Sequence, residues 1–393
     1  MKIILAANTD WYLFNFRLSL ARWLRTAGAE VVLVSPNGKF VSDILADGFR
    51  WIEWNVGRKT TEPLHEFDAV RRLAAIYGRE KPDLVHHFTI KPVLYGSLAA
   101  RLANVPALVN SVTGLGFVFL NQSRKGAALR RVVLPLYRLA FSHRNLAVIF
   151  ENPSDQQQFI DLKLISEEKT SVIQGVGVDV NRFLPLPEPS GMPIVLFPAR
   201  MLLDKGLGTL IDAARILKET HPVRVVLVGE PDPGNPATVD VDTLRAWQEA
   251  GLAEWWGFQA EMETVYAQAA VVTLPSLGEG LPTVLIEAAA CGRAIVATDV
   301  PGCREVVEDG VNGLLVPPND PTALAQALAR LLDDTELRKR MGAAGRRRVE
   351  AQFADRLIIT QIAEVYLRLL PAGMAHELIL KNPGKNGDKN GVS

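Results

Sequence analysis

The sequence predicts an α/β protein with two domains, each built around a doubly wound parallel sheet. Short runs of β-branched residues alternate with segments of helical period along most of the chain, a pattern typical of parallel strands connected by helices. The alternation breaks once, at the four prolines between residues 185 and 193, and then restarts. With 393 residues, of which 48% are hydrophobic, the chain can bury more than one core.

The first half of the chain carries the first series of elements. The predicted strands are Ile3–Ala7, Val31–Ser35, Arg50–Trp54, Leu84–His86, Ala107–Asn110, Leu146–Phe150 and Ser171–Ile173. The predicted helices are Phe16–Ala27, Leu64–Arg79, Val93–Ala103 and Lys125–Ser142. Gly28 favours an end of the first helix, because glycine readily adopts the left-handed conformation that follows many helices.

The second half repeats the pattern. The predicted strands are Ile194–Ala199, Arg224–Val228, Trp255–Gly257, Val271–Leu274, Ala294–Thr298 and Gly313–Val316. The predicted helices are Leu207–Glu219, Thr243–Ala250, Glu261–Gln268, Thr283–Cys291, Pro321–Asp333 and Glu336–Ala351. We therefore expect an N-terminal domain over residues 1–188, a C-terminal domain over 189–370 and a tail over 371–393. The tail loses its periodicity and is predicted to be disordered over Lys381–Ser393.

The expected location of the site follows from the fold. Ligands of open parallel sheets bind beyond the carboxyl ends of the strands, so we expect a cleft between the two domains to be the site.

Composition excludes several classes of protein. Two cysteines are too few for a disulfide-stabilised scaffold or a four-cysteine zinc module. The apolar run at the N-terminus is too short for a signal peptide, and no run approaches the roughly 18–20 apolar residues that span a bilayer. We expect a cytoplasmic protein that associates peripherally with the inner face of the membrane.

The membrane expectation comes from the distribution of charge. Up to Glu188 the chain has 23 basic and 17 acidic residues, and no acid lies between Asp83 and Glu151. The basic, amphipathic segment Arg124–Arg144 has the composition of a helix that binds an anionic membrane surface, and the apolar run Phe117–Leu120 precedes it. The alternative is an ordinary helix that packs on the sheet with its basic face in solvent. We expect no nucleic-acid partner.

An anion site is predicted at residues 274–287. A strand ends at Leu274, a glycine-containing loop follows, and Pro282 is favourable in the first turn of the next helix. The backbone N–H groups of Gly280, Leu281 and Thr283 are then available to a phosphate at a helix N-terminus. Two carboxylates, Glu279 and Glu287, flank this anion site and suit a ligand with hydroxyl groups on both sides of its phosphates. A nucleotide sugar has that layout.

A pair of cations follows the first strand of the same domain. Arg200 and Lys205 lie in the predicted loop between strand and helix, at the carboxyl edge of the sheet. Two cations at this edge can neutralise a diphosphate and stabilise it as a leaving group without a metal ion.

These motifs resemble those of retaining glycosyltransferases of family 4, which have the GT-B fold of two Rossmann-like domains. The resemblance extends to about residue 370. It rests on Arg200-x4-Lys205-Gly206, Val228-Gly229-Glu230, Gly257-Phe258, Glu279-x7-Glu287 and Cys291–Thr298. The N-terminal domain resembles a bacterial branch that builds glycans on polyprenyl diphosphate carriers. The motifs that carry this second resemblance are Asn8-Thr9-Asp10, Phe14–Arg17, Phe88–Pro92 and Ser111–Phe117.

The resemblance implies roles for the C-terminal residues. Arg200 and Lys205 match the pair that holds the donor diphosphate. Glu279 matches the residue that contacts the transferred sugar, and Glu287 the residue that takes the ribose hydroxyls. The remaining donor-binding positions are Gly229, Phe258, Gly280, Leu281, Pro282 and Thr283.

The resemblance also implies that no metal ion or other cofactor is needed. Asp240-Val-Asp242 has the pattern of a manganese site, but we expect it to cap the helix that follows.

The acceptor or phosphate side of the N-terminal domain is assigned more loosely. Its candidates are Asn8, Thr9, Arg17, His86, Lys91, Thr113 and Gly114. Many family members have a Gly-Gly loop where this chain has Asn8-Thr9, and a His-x-His where it has His86-His87-Phe88. Lys91 can equally be a surface lysine, and both histidines can be ordinary buried histidines at a strand end.

The sequence therefore predicts a retaining glycosyltransferase. We expect transfer of a hexose or N-acetylhexosamine from a UDP-linked donor to a polyprenyl-diphosphate-linked glycan acceptor. The alternatives are a nucleotide-sugar epimerase or phosphorylase on the same double fold, and a non-catalytic nucleotide-sugar binder. A dinucleotide-dependent oxidoreductase is disfavoured, because Ala6-Ala7-Asn8-Thr9 lacks the Gly-x-Gly-x-x-Gly loop.

Overall fold

The computed structural model describes residues 1–57, 63–113 and 124–380. The chain forms two compact units, one of residues 1–173 with the chain from Ile359 onward, and one of Gln174–Ile358. This division differs from the predicted boundaries at 188 and 370. The linker of prolines belongs to the second unit, and the last helices belong to the first.

All of the described strands lie in two sheets. They are β1 (Lys2–Ala6), β2 (Glu30–Ser35), β3 (Arg50–Glu53), β4 (Leu84–Phe88), β5 (Ala107–Val112), β6 (Leu146–Phe150), β7 (Thr170–Val172), β8 (Ile194–Pro198), β9 (Arg224–Val228), β10 (Glu254–Trp255), β11 (Val271–Leu274), β12 (Ala294–Thr298) and β13 (Gly313–Val316). The predicted strands are confirmed with ends that differ by at most two residues.

The helices connect these strands. They are α1 (Asp10–Thr26), α2 (Val41–Ala46), α3 (Pro63–Glu80), α4 (Ser97–Leu102), α5 (Arg124–Ala140), α6 (Pro153–Asp161), α7 (Leu207–Lys218), α8 (Val241–Glu249), α9 (Met262–Gln268), α10 (Thr283–Ala290), α11 (Pro301–Val306), α12 (Pro321–Asp333), α13 (Thr335–Arg348), α14 (Asp355–Leu369) and α15 (Ala372–Leu380). One turn of π-helix precedes α4, at Pro92–Gly96, and another follows α13, at Val349–Phe353.

Both sheets are parallel and doubly wound. The first has the order β3-β2-β1-β4-β5-β6-β7 and the second β10-β9-β8-β11-β12-β13. The strand order reverses between β1 and β4 in the first sheet and between β8 and β11 in the second. The central strands are buried on both faces, as expected of sheets covered by helices on both sides. The predicted α/β class is confirmed.

The last helices close the first unit. Tyr366 of α14 is fully buried, and its hydroxyl lies 2.7 Å from Nδ1 of His86 in β4. Asn145 donates a hydrogen bond of 2.9 Å to the carbonyl oxygen of Leu369. These contacts explain why the domain boundary predicted at residue 370 differs from the structure. The predicted loss of regular structure after residue 370 is wrong for α15, and Lys381–Ser393 lies outside the described residues.

The basic helix α5 packs its apolar side into the first unit. Tyr137 is buried, and its ring meets those of Phe141 and Phe159 with centroids 5.4 and 5.1 Å away. Arg131 and Arg138 are exposed. The helix thus packs against the first unit with basic residues exposed to solvent, and binding of the segment Arg124–Arg144 to a membrane stays a prediction. The run Phe117–Leu120 and the side chains of Arg124 and Lys125 lie outside the described residues.

Candidate active site

The reversal of strand order in the second sheet places the predicted donor residues together. β8 and β11 are neighbours, and the chain leaves them in opposite directions, towards β9 on one side and β12 on the other. A crevice therefore opens beyond their carboxyl ends. Arg200 and Lys205 follow β8, and Glu279 follows β11.

Lys205 and Glu279 are in direct contact. The Nζ atom of Lys205 lies 2.6 and 2.8 Å from the two carboxylate oxygens of Glu279. The side chains are 22% and 10% exposed, so the pair is sheltered but still reachable from solvent. An ammonium and a carboxylate in this arrangement offer N–H donors to a phosphate and an acceptor to a sugar hydroxyl.

The two loops that carry this pair are fastened to each other. The carbonyl oxygen of Asp204 accepts hydrogen bonds from the backbone N–H of Leu277, at 2.9 Å, and from the hydroxyl of Ser276, at 3.1 Å. Gly206 has φ of +76°, and a Cβ atom there would overlap the carbonyl of Pro275. A glycine is therefore required immediately after Lys205 for this close approach.

The segment after Glu279 leads into helix α10. Pro282 precedes the helix as its N-cap residue, and no side chain caps the first turn. Pro282 thus lies one position before the predicted first turn. Gly302 allows the close approach of α11, because a Cβ atom there would overlap the carbonyl oxygens of Glu279 and Gly280. Thr283, the first residue of α10, is half-buried, and Glu279 and Gly280 are held between two helix starts.

Leu281 is a predicted donor residue whose side chain belongs to the core. Its side chain is buried in the core of the second unit, against Gly175. Only its backbone can serve a ligand at this edge of the sheet.

Arg200 has an internal partner that sequence reasoning missed. Its Nη1 atom lies 2.6 Å from a carboxylate oxygen of Asp232, and the arginine side chain is 50% exposed. Asp232 belongs to the Pro- and Gly-rich loop after β9, and the hydroxyl of Thr238 accepts a hydrogen bond from its backbone N–H. An acidic residue in a loop at the carboxyl edge was the available signal for this contact.

Gly229 and Phe258 lie at the same edge. The N–H of Gly229 donates a hydrogen bond of 2.8 Å to the carbonyl of Gly257, and Gly229 has φ of +139°. A Cβ atom at this position would overlap the carbonyl oxygen of Ala199, next to Arg200. Phe258 follows Gly257 and is 43% exposed, so part of its side chain is accessible to solvent.

Glu287 lies inside α10 in a sheltered position. Its carboxylate accepts a hydrogen bond of 2.8 Å from the hydroxyl of Tyr266. Burial raises the pKa of Glu287 to about 7, although the Tyr266 hydrogen bond and the charge of Arg182 oppose this shift. Arg182 itself pairs with Glu263 at 2.8 Å. No local pattern in the sequence indicates Tyr266 or Arg182 as neighbours of Glu287.

In the first unit, Arg17 is a buried cation beside β4. Its side chain is 2% exposed, and its guanidinium carbon lies 4.2 Å from the centroid of the Phe88 ring. Nη2 donates a hydrogen bond of 2.8 Å to the hydroxyl of Tyr12, whereas the buried Nε atom has no hydrogen-bond partner. Among the acceptor-side candidates, Arg17 is the one whose buried positive charge a bound anion would stabilise most.

His86 is held internally at both ring nitrogens. Nδ1 lies 2.7 Å from the hydroxyl of Tyr366, and Nε2 lies 2.7 Å from that of Ser111. Burial lowers its pKa well below the usual value, and the charge of Arg17 adds to the effect. This network leaves no ring nitrogen of His86 for a ligand, contrary to its assignment to the acceptor side. It agrees with the alternative of a buried histidine.

His87 has the same character. Its ring bonds to Tyr77 at 2.7 Å and to Asn110 at 2.9 Å, and burial lowers its pKa to about 4. Gly96 makes room for this ring, because a Cβ atom there would overlap Nε2 of His87.

The other acceptor-side candidates differ in their surroundings. The hydroxyl of Thr9 accepts a hydrogen bond of 3.1 Å from the N–H of Tyr12 and caps α1. Lys91 forms an ion pair with Glu66 at 2.7 Å, so in this structure its ammonium group contacts a carboxylate and not a phosphate. Asn8 and Thr113 are half-buried after β1 and β5. Gly114 lies outside the described residues.

Two further observations concern cofactors. Among the residues that the structure describes, no three His, Cys, Asp or Glu side chains come together as a metal site. Asp240 accepts a hydrogen bond of 2.7 Å from the N–H of Thr243 and caps α8, as predicted for this Asp-x-Asp pair.

The fold and the donor-side geometry define a glycosyltransferase of the GT-B class. Two family profiles match the chain: glycosyl transferase 4-like over residues 2–152 and glycosyl transferases group 1 over residues 192–334. The chain therefore belongs to the family 4 glycosyltransferases of group 1.

Individual relatives agree with this assignment. The chain is 27% identical over 383 residues to a Campylobacter jejuni protein, N,N'-diacetylbacillosaminyl-diphospho-undecaprenol alpha-1,3-N-acetylgalactosaminyltransferase, covering 94% of this chain and 99% of that one. It is 26% identical to the Escherichia coli UDP-Gal:alpha-D-GlcNAc-diphosphoundecaprenol alpha-1,3-galactosyltransferase, covering 78% and 81%. The crystal structure of Anabaena HepE in complex with UDP-glucose superimposes with a TM-score of 0.76 at 23% identity, covering 93% and 99%.

Proposed function

We propose that this glycosyltransferase moves a hexose or N-acetylhexosamine from a UDP-linked donor to a glycan on a polyprenyl diphosphate carrier, with retention of anomeric configuration. The observation that carries the proposal is the contact between Lys205 and Glu279 at the strand-order reversal of the second sheet. The Campylobacter and Escherichia relatives, which are named for diphospho-undecaprenol acceptors, support the acceptor class. The UDP-glucose complex of HepE supports the donor class.

The proposed chemistry uses groups of this chain together with the departing phosphate of the donor. Arg200, Lys205 and the N–H groups at the start of α10 bind the donor diphosphate and stabilise the negative charge that develops on it. Glu279 accepts a hydrogen bond from a hydroxyl of the transferred sugar, and Glu287 binds the ribose. The bond between the anomeric carbon and the β-phosphate oxygen breaks, and the acceptor oxygen bonds to the same face of that carbon. The departing phosphate takes the acceptor's proton, and the acceptor attacks directly, so the step involves no carboxylate nucleophile. Arg200 and Lys205 neutralise the leaving diphosphate in place of a metal ion.

We propose that the enzyme acts at the membrane surface. No described helix has the length and hydropathy to cross a bilayer. A lipid-linked acceptor requires access to the membrane surface, and we place the enzyme at its cytoplasmic face, attached peripherally through the basic segment that includes Arg131 and Arg138.

The test is a panel of radiolabelled UDP-sugars with membrane lipid extract as acceptor, run with and without a chelator. We expect lipid-linked product from one donor, equal rates in the chelator, and the donor's anomeric configuration in the product by NMR. An epimerase would convert the donor with no lipid present, and a phosphorylase would require free phosphate. Either result would overturn the proposal.

Two substitutions connect the activity to the site. Lys205→Ala and Glu279→Ala are each expected to lower transfer by at least 100-fold, since each removes a charged group that faces the reacting donor. Lys218→Ala, an exposed lysine on α7, is the matched control and should retain wild-type turnover. Near-normal transfer by either site variant, with an unchanged thermal midpoint, would refute the assigned roles.

A further inference from the structure

Thr89 has a backbone conformation that is unusual for its side chain. It is the first residue after β4, and its φ of +71° lies in the left-handed region. A side chain branched at Cβ is strained in that region. The other non-glycine residues with positive φ in the described part of the chain are lysines and asparagines, which tolerate it better. Strain of this kind is characteristic of functional sites.

The hydroxyl of Thr89 makes no contribution to the hydrogen bonding of the fold. Its Oγ1 atom is buried and has no hydrogen-bond partner among the described residues. Thr9, which follows the neighbouring strand β1, behaves differently. It is extended, with φ of −151°, and its hydroxyl accepts a hydrogen bond from the N–H of Tyr12. A buried hydroxyl without a partner destabilises the folded protein, so its presence at Thr89 requires another explanation.

The position of Thr89 in the sheet indicates a ligand. The strand order of the first sheet reverses between β1 and β4, and ligands of open parallel sheets bind beyond the carboxyl ends of the strands at such a reversal. Ala6 of β1 pairs with His87 of β4, and this register, continued by two residues, brings Asn8 alongside Thr89. On the other side of β4, Thr113 follows β5.

The polar groups at this reversal are uncharged. The amide of Asn8 and the hydroxyls of Thr89 and Thr113 can each donate and accept hydrogen bonds. All three residues are half-buried. Lys91, two residues after Thr89, has its ammonium group 2.7 Å from the carboxylate of Glu66. Neutral groups that both donate and accept match the hydroxyls of a sugar, whereas a phosphate is matched better by free cations.

The backbone of Thr89 is fixed by the segment that follows it. The carbonyl oxygen of Thr89 accepts a hydrogen bond of 3.0 Å from the N–H of Val93, and the π-turn Pro92–Gly96 continues the chain. Single π-turns occur frequently at functional sites. The hydroxyl is therefore attached to an ordered helix start, and a small adjustment of the half-buried side chain is enough to bring it to a ligand.

We propose that the hydroxyl of Thr89 forms a hydrogen bond with a hydroxyl group of the acceptor sugar and thereby selects the acceptor glycan. The proposal rests on the proposed function and deepens it, because it assigns a residue that recognises the acceptor's sugar and not its diphosphate carrier. An acceptor without the matching hydroxyl leaves the hydroxyl of Thr89 unpaired, and a site that depends on such a hydrogen bond discriminates strongly against that acceptor.

The experiment measures transfer from the UDP-sugar selected by the panel to membrane lipid extract, over a range of extract concentrations. Thr89→Val keeps the shape and branching of the side chain and removes the hydroxyl. It should lower the apparent kcat/KM for the extract by roughly tenfold and leave the KM for the UDP-sugar unchanged, whereas Thr89→Ser should retain most of the activity. The matched control is Thr26→Val, at an exposed position on α1, which should act as wild type. Equal kcat/KM for Thr89→Val and wild type would overturn the proposal.

Stability separates recognition of the acceptor from a structural role. Because Thr89→Val loses no hydrogen bond within the described structure, its thermal midpoint should be unchanged or higher. Thr89→Gly relieves the strain of the positive φ, so its midpoint should also rise, and it should transfer as poorly as Thr89→Val. A lower midpoint for Thr89→Val, or normal transfer by Thr89→Gly, would contradict the role given to the hydroxyl.

Titration with UDP separates this inference from the donor site. Thr89→Val should bind UDP as tightly as wild type. A changed KM for the UDP-sugar in Thr89→Val, with an unchanged apparent KM for the extract, would assign the hydroxyl to the transferred sugar and overturn the proposal. Absence of lipid-linked product with the wild type would instead reject the proposed function, so the two failures are distinguishable.

Discussion

At the scale of single residues, the donor site depends on charges that hold one another in place before any ligand binds. Lys205 contacts Glu279, and Arg200 contacts Asp232. Removal of one member leaves a sheltered charge without its partner, and the geometry that remains is less ordered. The side chains of Lys205 and Arg200 are therefore already ordered when a diphosphate binds at this edge, which reduces the entropy lost on binding.

Glu287 should make stability depend on pH. Its pKa is raised to about 7 in the folded protein because of burial, whereas an unfolded glutamate titrates near its ordinary value of about 4.3. The folded state therefore binds the proton more tightly. This contribution to stability is complete below about pH 4 and is lost as the pH rises to about 7.

The substitution Glu287→Gln should remove that dependence. We expect it to stabilise the second unit at pH 8 by on the order of 1–2 kcal/mol and to flatten the profile between pH 4.5 and 7, measured by denaturant unfolding. Glu249→Gln, at an exposed position on α8, is the control and should change neither. Destabilisation by Glu287→Gln at pH 8 would show that the folded protein stabilises the ionised carboxylate of Glu287, contrary to this prediction.

At this scale the sequence predicts which residues form the site better than it predicts which residues they contact. The types and spacing of Arg200, Lys205 and Glu279 were sufficient to predict their common edge. Tyr266 is brought to the site by tertiary structure and no local pattern marks it, whereas the only signal for Asp232 was an acidic residue in a loop at the carboxyl edge. His86 shows the limit most clearly, because its second partner, Tyr366, is 280 residues away in the chain.

At the scale of elements, the turn Leu203–Lys205 and the start of α7 determine where Lys205 lies. Gly206 adopts a left-handed conformation there, pressed against the loop after β11. The substitution Gly206→Ala should therefore destabilise the second unit by on the order of 2–4 kcal/mol and weaken donor binding as Lys205 moves.

Gly208 provides the matched control, two residues further on. It lies within α7, and a Cβ atom there would contact only Leu203, at 3.9 Å. Gly208→Ala should be neutral or stabilising by up to about 1 kcal/mol, as is usual for this change in a helix. Thermal and denaturant unfolding of the two variants should thus change in opposite directions. Equal effects would argue against the close contact at Gly206.

The elements themselves were largely predictable, and the reasons for the exceptions are physical. Strands such as β6 and β9, buried and rich in Val, Ile and Leu, were located with their exact ends. The helix predicted over Val93–Ala103 instead begins with a π-turn at Pro92–Gly96, next to His87. Helix α2, of six residues, is too short to show a period. Helix α6 carries an Asn152-Pro153 start signal, which could have been recognised.

At the scale of the whole molecule, the chain returns to its first unit after completing the second. Helix α14 supplies Tyr366 to β4, and Arg368 donates a hydrogen bond of 2.9 Å to Ser171 beside β7. Neither contact could be predicted from the sequence, since they join positions about 200 or more residues apart. The predicted boundary at residue 370 followed from local periodicity alone.

Truncation tests this return of the chain. A protein ending at Ile358 should lose amide protection in β4–β6, as measured by hydrogen exchange, because it lacks the buried Tyr366. The second unit should keep its protection. A protein ending at Leu380 is the control and should exchange like the full chain. Unchanged protection of β4 in the shorter protein would contradict the assignment of α14 to the first unit.

The central claim is that one edge of the second sheet binds a nucleoside diphosphate through Arg200, Lys205 and the start of α10. Isothermal titration of the full chain with UDP tests it most directly. We expect saturable binding by the wild type and by Lys218→Ala, and binding at least about tenfold weaker for Lys205→Ala, as expected when a hydrogen bond between charged groups is lost. Equal affinity of Lys205→Ala and wild type for UDP, or no binding by the wild type, would contradict the account.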